Sequence, residues 1–195
     1  ILDQFVISTK ENNIKLKKLL INKYRKIVKF DEINLDYFDT ENKRNKLTLK
    51  RVQKNNYELN GSIFNASKLI TDLLKSKDDK HSRIFKNNLN LNLNLDKVYI
   101  DDNNVVKNLK GNFYIEDNKI NQANISAIFD NNESLTFTIN TNNGEKITTL
   151  FSSRAKPLVK RYKFIKGFED SQEGYLDFYS SKKDGISNSK LIIDN

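Results

Sequence analysis

Between Asn88 and Leu95 every second residue is Leu and every other one is Asn, and this run constrains the fold more than any other stretch of the chain. Strict apolar/polar alternation matches the two-residue period of a β-strand with one dry and one wet face, not the 3.6-residue period of a helix. Neither residue type favours strands by composition, so the pattern rather than propensity decides. At about 3.3 Å per residue, the eight positions lay four Leu side chains along roughly 26 Å of one sheet face. Downstream the theme repeats in Leu109, Phe113 and Ile115, then Ala123, Ile125, Ala127 and Phe129, then Leu135, Phe137 and Ile139, then Ile147 and Phe151. Polar turns at 101–104, 116–119, 130–133 and 140–146 separate these runs. One-sided strands between such turns predict an antiparallel meander over about 85–151 whose odd-numbered apolar residues share a face. Within the long strand, expected over 85–100, the dry phase passes from odd (Leu95) to even (Val98, Ile100) across Asp96-Lys97, which implies a bulge.

The flanks extend the sheet. Residues 1–22 are the least patterned, with an extended opening through Leu2, Phe5 and Ile7. Ile27, Val28 and Phe30 and then Ile33, Leu35 and Tyr37 read as one bulged strand or two short ones, and Leu47–Leu49 with Tyr57–Gly61 as a hairpin. A first helix is expected over 66–76, where Asn65 is the N-cap and Ala66, Leu69, Ile70, Leu73 and Leu74 form one stripe. A second is expected over 153–166, with Ser152 or Ser153 as the cap, Pro157 in the first turn, a stripe of Leu158, Tyr162 and Ile165, and Gly167 as the stop. Gly174 then opens a last hairpin through Tyr175, Leu176, Phe178 and Tyr179, with a turn at 181–185 and a return through Ile186, Leu191 and Ile193. The fold class is therefore mainly β: a long antiparallel meander, twisted and open as a groove, with two short helices. It divides into 1–84, strands plus a helix, and 85–195, the meander plus a helix.

Composition sets the outer limits. With 195 residues the chain is long enough to bury a core, and 12 Phe and 8 Tyr argue against disorder although only 37% of residues are hydrophobic. The net charge of +9 makes an anionic partner conceivable, but Lys and Asn dominate the entire sequence, as codon bias in an AT-rich genome would make them. There is no Cys, hence no disulfide framework and no thiolate metal site, and no apolar run long enough for a membrane helix. No Met is present either, and Ile1 opens no signal peptide. The expectation is a piece of a longer protein whose anchor or signal lies outside it.

Nothing points to catalysis. The lone His81 sits among Asp78, Asp79, Lys80 and Arg83 and reads as a solvated loop residue. The Asp/Asn stretches at 101–104 and 130–133 lack the spacing and closing Glu of a calcium loop, and Asx residues favour turns in any case. Sequons such as Asn124-Ile125-Ser126 arise by chance in so Asn-rich a chain. No phosphate loop, nucleophile triad or zinc motif occurs, so the reading is a non-enzyme with no cofactor and no metal.

Three passages resemble one known family. Tyr57-Glu58-Leu59-Asn60-Gly61-Ser62-Ile63-Phe64-Asn65-Ala66-Ser67-Lys68-Leu69-Ile70 resembles the strand, Gly, Phe-[Asp/Asn]-Ala/Ser and short-helix passage of AsmA-like bacterial envelope proteins. The run Asn108-Leu109-Lys110-Gly111-Asn112-Phe113 is the second likeness. The third runs from Ile147 to Phe168 and on through Gly174 to Asp194, and looks like the C-terminal region of the AsmA/TamB superfamily. Phe168 and Ser187–Ser189 depart from it, standing where family members often carry Gly. The resemblance implies a periplasm-spanning groove, anchored in the inner membrane through segments outside this chain, that passes phospholipid to the outer membrane.

Three functions compete on these residues. In the first, phospholipid acyl chains lie against Leu89, Leu91, Leu93, Leu95, Phe113, Ile115, Ile125, Phe129, Leu135, Phe137 and Ile139, with withdrawal from water contributing about 0.8 kcal/mol per methylene. Two helices this short cannot cover so long a sheet, which favours an open face. In the second, Lys15–Lys29 and Lys156–Lys166 bind nucleic acid or an anionic surface. That reading is disfavoured because the cations alternate with Asn and acids instead of being interleaved with exposed aromatics. In the third the same apolar residues form the ordinary closed core of a structural β-domain.

Overall fold

A computed structural model describes residues 2–24, 27–75, 88–116, 119–162 and 174–194. His81, the first residues of the long strand expected at 85–87, and the helix end expected at 163–166 with its Gly167 stop lie outside the described residues. The strands are β1 (Leu2–Ser8), β2 (Asn13–Ile21), β3 (Ile27–Lys29), β4 (Glu32–Phe38), β5 (Arg44–Gln53) and β6 (Asn56–Asn65). Helix α1 (Ser67–Lys75) follows, then β7 (Leu89–Tyr99), β8 (Val105–Glu116), β9 (Lys119–Ile128), β10 (Ser134–Asn142) and β11 (Glu145–Ser152). Helix α2 (Lys156–Tyr162) precedes β12 (Leu176–Lys183) and β13 (Ile186–Ile193). Among the described residues all thirteen strands belong to one open sheet in chain order from β1 to β13, with β3 off this path against β2. The mainly β, open architecture with two short helices is the one that the alternating sequence predicts.

From β7 to β13 every pairing is antiparallel, so the expected meander is present from Leu89 onward and extends to the last strand. The exception lies just before it. β6 and β7 are parallel, from Asn56 opposite Asn90 to Asn65 opposite Tyr99, a pairing that needs a crossover, and α1 lies in it. The alternation of the two strands is the same for either direction, and so carried no sign of it. This parallel pair joins the two halves read from the sequence into a single sheet.

The phase switch expected at Asp96-Lys97 is real, but it is not a bulge of β7 alone. Leu95 opposite Leu109 and Val98 opposite Val106 keep one register with β8, and Gly61 opposite Leu95 and Phe64 opposite Val98 keep one with β6. The three strands change phase together. The extra residue is absorbed at the two borders of this block, where the register slips between Lys46 and Leu47 against β6 and between Lys107 and Lys110 against β9. Asn108 takes a left-handed φ of 53° at the second border, a conformation Asn tolerates better than most residues. Such residues recur in the turns: Asn55, Asn131 and the Asn143-Gly144 and Asp184-Gly185 pairs all have positive φ. At 101–104 the Asp101 carboxylate accepts from the Asn103 and Asn104 N–H groups at 2.8 and 2.7 Å, so this stretch is an Asx turn.

Gly111 stands at a close approach of two strands. A Cβ there would strike the Asn124 carbonyl oxygen and come within 2.9 Å of the Ile125 Cα, so β8 and β9 approach more closely than any side chain would allow.

The helix ends differ in how well they follow the sequence. Asn65 caps α1 as expected, its Oδ1 accepting from the Ser67 N–H at 3.1 Å. Ala66 is buried and Ile70 packs on the core, whereas Leu69, one position round the helix from Ile70, is exposed. Ser152 and Ser153 do not cap α2, which begins at Lys156 with the Ala155 carbonyl accepting from the Leu158 and Val159 N–H groups. Ser152 is still in β11, hydrogen-bonded to Arg154, and the Ser153 hydroxyl bonds to Ser134 on β10. The sheet had engaged both residues already.

A buried polar knot ties the β4–β5 turn to the start of α1. Asn45 is 1% exposed; its Oδ1 accepts from the Asn65 N–H at 2.8 Å and its Nδ2 donates to Asp39 Oδ2 at 3.1 Å. The Asn65 amide also donates to Asp39 and Glu41. Burial pushes the Asp39 carboxyl up, but the hydrogen bonds from the Lys43 N–H, Asn65, Asn45 and the Glu41 N–H more than reverse this, and it titrates below its ordinary 3.8. Replacing Asn45 by Ala strands the Asn65 N–H and is expected to cost about 1–3 kcal/mol in chemical denaturation. A depressed carboxyl stabilises the fold above its unfolded value and loses that contribution as pH falls through the folded one. Thermal unfolding is therefore expected to show a melting temperature that drops on acidification below 3.8, and drops less steeply in Asn45→Ala, where Asp39 has lost a donor.

Candidate functional site: an uncovered apolar lane

Direct cross-strand partners share a sheet face, so the register can be followed from edge to edge. Phe5 stands opposite Leu16, Leu16 opposite Ile33, Ile33 opposite Leu49, and Leu49 opposite Leu59. Leu59 then stands opposite Leu93, Leu93 opposite Gly111, Gly111 opposite Ile125, and Ile125 opposite Phe137. Phe137 meets Leu150, Leu150 meets Phe178, and Phe178 meets Leu191. One row of apolar side chains, broken only by Gly111, thus crosses twelve strands. At about 4.8 Å per strand it is roughly 50 Å long.

The face is not covered evenly. Towards one end of the strands, Leu95, Val98, Val106, Phe129 and Leu176 are at most 3% exposed and form one cluster with Ala155, Leu158 and Val159 from α2 and its approach, while Ala66 and Ile70 close it from α1. At about 1.5 Å per residue, nine- and seven-residue helices reach only some 10–14 Å, which suffices for one margin of the face. Beyond them Leu89, Leu91, Leu93, Phe113, Ile125 and Phe137 are half-buried and lie outside that cluster. Their exposure falls between that of a core and that of a surface. The opposite face is polar, with Asn92 opposite Asn112 and Asn112 opposite Asn124, all three exposed.

The eleven residues singled out from the sequence all belong to the dry phase. Leu89 pairs with Ile115, Leu91 with Phe113, and Phe113 leads through Ala123 to Ile139. They divide among three environments: Leu95 and Phe129 are buried under the helices, with Leu135 packed beside them, Ile115 and Ile139 are buried away from the helices, and the other six are half-buried along the lane. The sequence reading of β11 is corrected. Ile147 and Phe151 point to the wet face, where Phe151 is exposed and its ring lies 6.2 Å from that of Tyr175. Leu150 takes the place in the lane expected of them. The signal was available: Asn143-Gly144 is a two-residue hairpin loop with Asn142 opposite Glu145, and counting back from it places Leu150 opposite Phe137. Asp184-Gly185 brings Leu191 opposite Phe178 in the same way.

Comparison with family models, with curated proteins and with solved structures gives no match to this chain.

The lane offers solvation and no reaction chemistry. Its side chains are hydrocarbon, and among the described residues no group of three or more His, Asp or Glu is placed to hold a metal ion. The two environments predict opposite responses to a charge. Leu93→Asp, on the uncovered lane, leaves water within reach of the carboxylate and is expected to cost no more than about 2 kcal/mol. Val98→Asp, at a site 2% exposed, buries an unpaired charge and is expected to unfold a domain of ordinary stability. Circular dichroism and urea unfolding of both variants check the contrast, and equal destabilisation would show the lane to be a closed core.

Proposed function

We propose that this chain is a non-enzymatic lipid-binding segment in which acyl chains lie along the half-buried row of Leu49, Leu93, Ile125 and Phe137, flanked by Leu59, Leu150, Phe178 and Leu191, which pack against the core cluster. The observation that carries the reading is the continuity of that row across the nine strands from β5 to β13 with helices over only one margin. A soluble domain rarely leaves so large a contiguous apolar surface without a ligand or partner. Hydrocarbon is the partner that needs no directional contact, and the lane has none to offer. A lane that runs across strands also has no single pocket end, which suits a ligand that slides.

The resemblance of residues 57–70, 108–113 and 147–194 to AsmA/TamB proteins extends the proposal to its setting: a segment of an inner-membrane-anchored, periplasm-spanning protein that carries phospholipid in outer-membrane biogenesis. Nucleic acid has no part in it.

The test is site-specific photo-crosslinking. A diazirine amino acid at position 93 or 125 is expected to capture radiolabelled phospholipid from cells or vesicles, and one at position 92 or 112, on the wet face, is expected to capture none. Equal capture at all four positions, or capture at none, would reject the lipid reading.

A further inference from the structure

At the rim opposite the helices the lane changes chemistry over β10–β13. Thr141 stands opposite Lys146, Lys146 opposite Lys182, and Lys182 opposite Ser187. One same-face step inward, Thr148 stands opposite Ser180. One step further is Leu150, in the lane itself, so the two lysines lie about 13 Å along their strands from the apolar row.

Like charges directly opposite each other on neighbouring strands destabilise a sheet, so this pair is a local cost without a structural return. Neither lysine has an ion-pair partner among the described residues. The acids nearby are otherwise engaged. Glu145 faces the other side of the sheet and accepts from the Ser181 hydroxyl, and Glu116 accepts from Tyr114, Asn88 and Asn121. Burial, and then the charges of Lys182 and Lys119, lower the Lys146 ammonium below its ordinary 10.5, so three lysines add to one positive field. Beside them the Thr141 Oγ1 is buried and has no hydrogen-bond partner. Unneutralised ammonium groups, free hydroxyl capacity and an adjoining hydrocarbon surface are together complementary to an amphiphile with an anionic head.

We infer that Lys146 and Lys182, with the hydroxyls of Thr141 and Thr148, hold the phosphate head group of an anionic lipid whose acyl chains lie on the lane. This rests on the lipid reading above and adds to it a preference for head-group charge and a fixed orientation, head at the β11–β12 rim and tails towards Leu150 and Phe178. The bound phosphate places a negative charge between the two lysines and so removes the repulsion that the empty pair sustains.

The test compares two acyl-matched probes, dioctanoyl phosphatidylglycerol and uncharged dioctanoylglycerol, by equilibrium binding to the full chain, with inorganic phosphate as a third probe. The parent is expected to bind the phospholipid more tightly than the diglyceride. The double variant Lys146→Gln, Lys182→Gln is expected to lose about 30-fold in phospholipid affinity, each lysine near an anionic surface contributing about fivefold. It should leave diglyceride binding unchanged and melt no lower than the parent, because it removes a repulsive pair. Diglyceride binding without any preference for the charged probe overturns the head-group site and leaves the lane reading intact. Binding of neither amphiphile overturns both. Inorganic phosphate binding as tightly as the phospholipid would make this a free-phosphate site and would also overturn the inference.

Discussion

The structure depends on register. A strand shifted by one residue turns its whole apolar set to the other face, so a dry face that continues across twelve strands exists only because each backbone ladder is locked to its neighbour in phase. Several local devices do the locking. Two-residue loops with positive φ at Asn143-Gly144 and Asp184-Gly185 fix the last hairpins to a single alignment. Where the phase must change, β6, β7 and β8 change it as a block, and the mismatch is confined to the Lys46/Leu47 and Lys107/Lys110 borders. A bulge in one strand alone would have broken the row.

The phase-shifted block and the covered margin coincide. Val98 and Val106 lie beyond the shift and Leu95 just before it, and all three belong to the cluster that α1 and α2 close. Hydrophobic burial is thus concentrated where short helices can reach, and it is there that the fold has a core of ordinary dryness. The knot of Asp39, Asn45 and Asn65 lies at the same margin and fixes the start of α1 to the sheet. Away from this margin the sheet is held by its ladders and by half-buried side chains, and the edge strand β1 differs little from a surface, every residue from Leu2 to Ser8 being exposed. Stability and the uncovered lane therefore occupy different parts of one sheet, which is the arrangement a binding surface needs if it is to remain exposed without unfolding the chain.

Much of this was legible in advance because it is local. The Asn-Leu run fixed the faces of β7, Asn65 announced a cap, and Asx-rich stretches formed turns because a short polar side chain that accepts from nearby N–H groups does so wherever it stands in the fold. The misreadings arose where two local signals competed. Leu150-Phe151 places two large apolar residues side by side, and only the hairpin register says which of them faces inward. Ser152-Ser153 has the composition of a helix cap, but its groups were already bound to Arg154 and to β10.

By itself the sequence determined the class of structure, the wet and dry faces of its strands and the two short helices, since alternation and capping act over a few residues and need no knowledge of distant neighbours. Only the tertiary structure decided that β6 and β7 run parallel, that three strands shift phase together, and that the helices close one margin and leave the rest of the dry face without a helix over it. It also placed Lys146 against Lys182, thirty-six residues apart in sequence. The physical reason is the same in each case: an alternating strand is equally satisfied on either side of a neighbour and in either direction, so the choice among partners is made by loop reach, by the steric gap at Gly111 and by where the helices find apolar surface to cover, none of which is written in the period of any single strand.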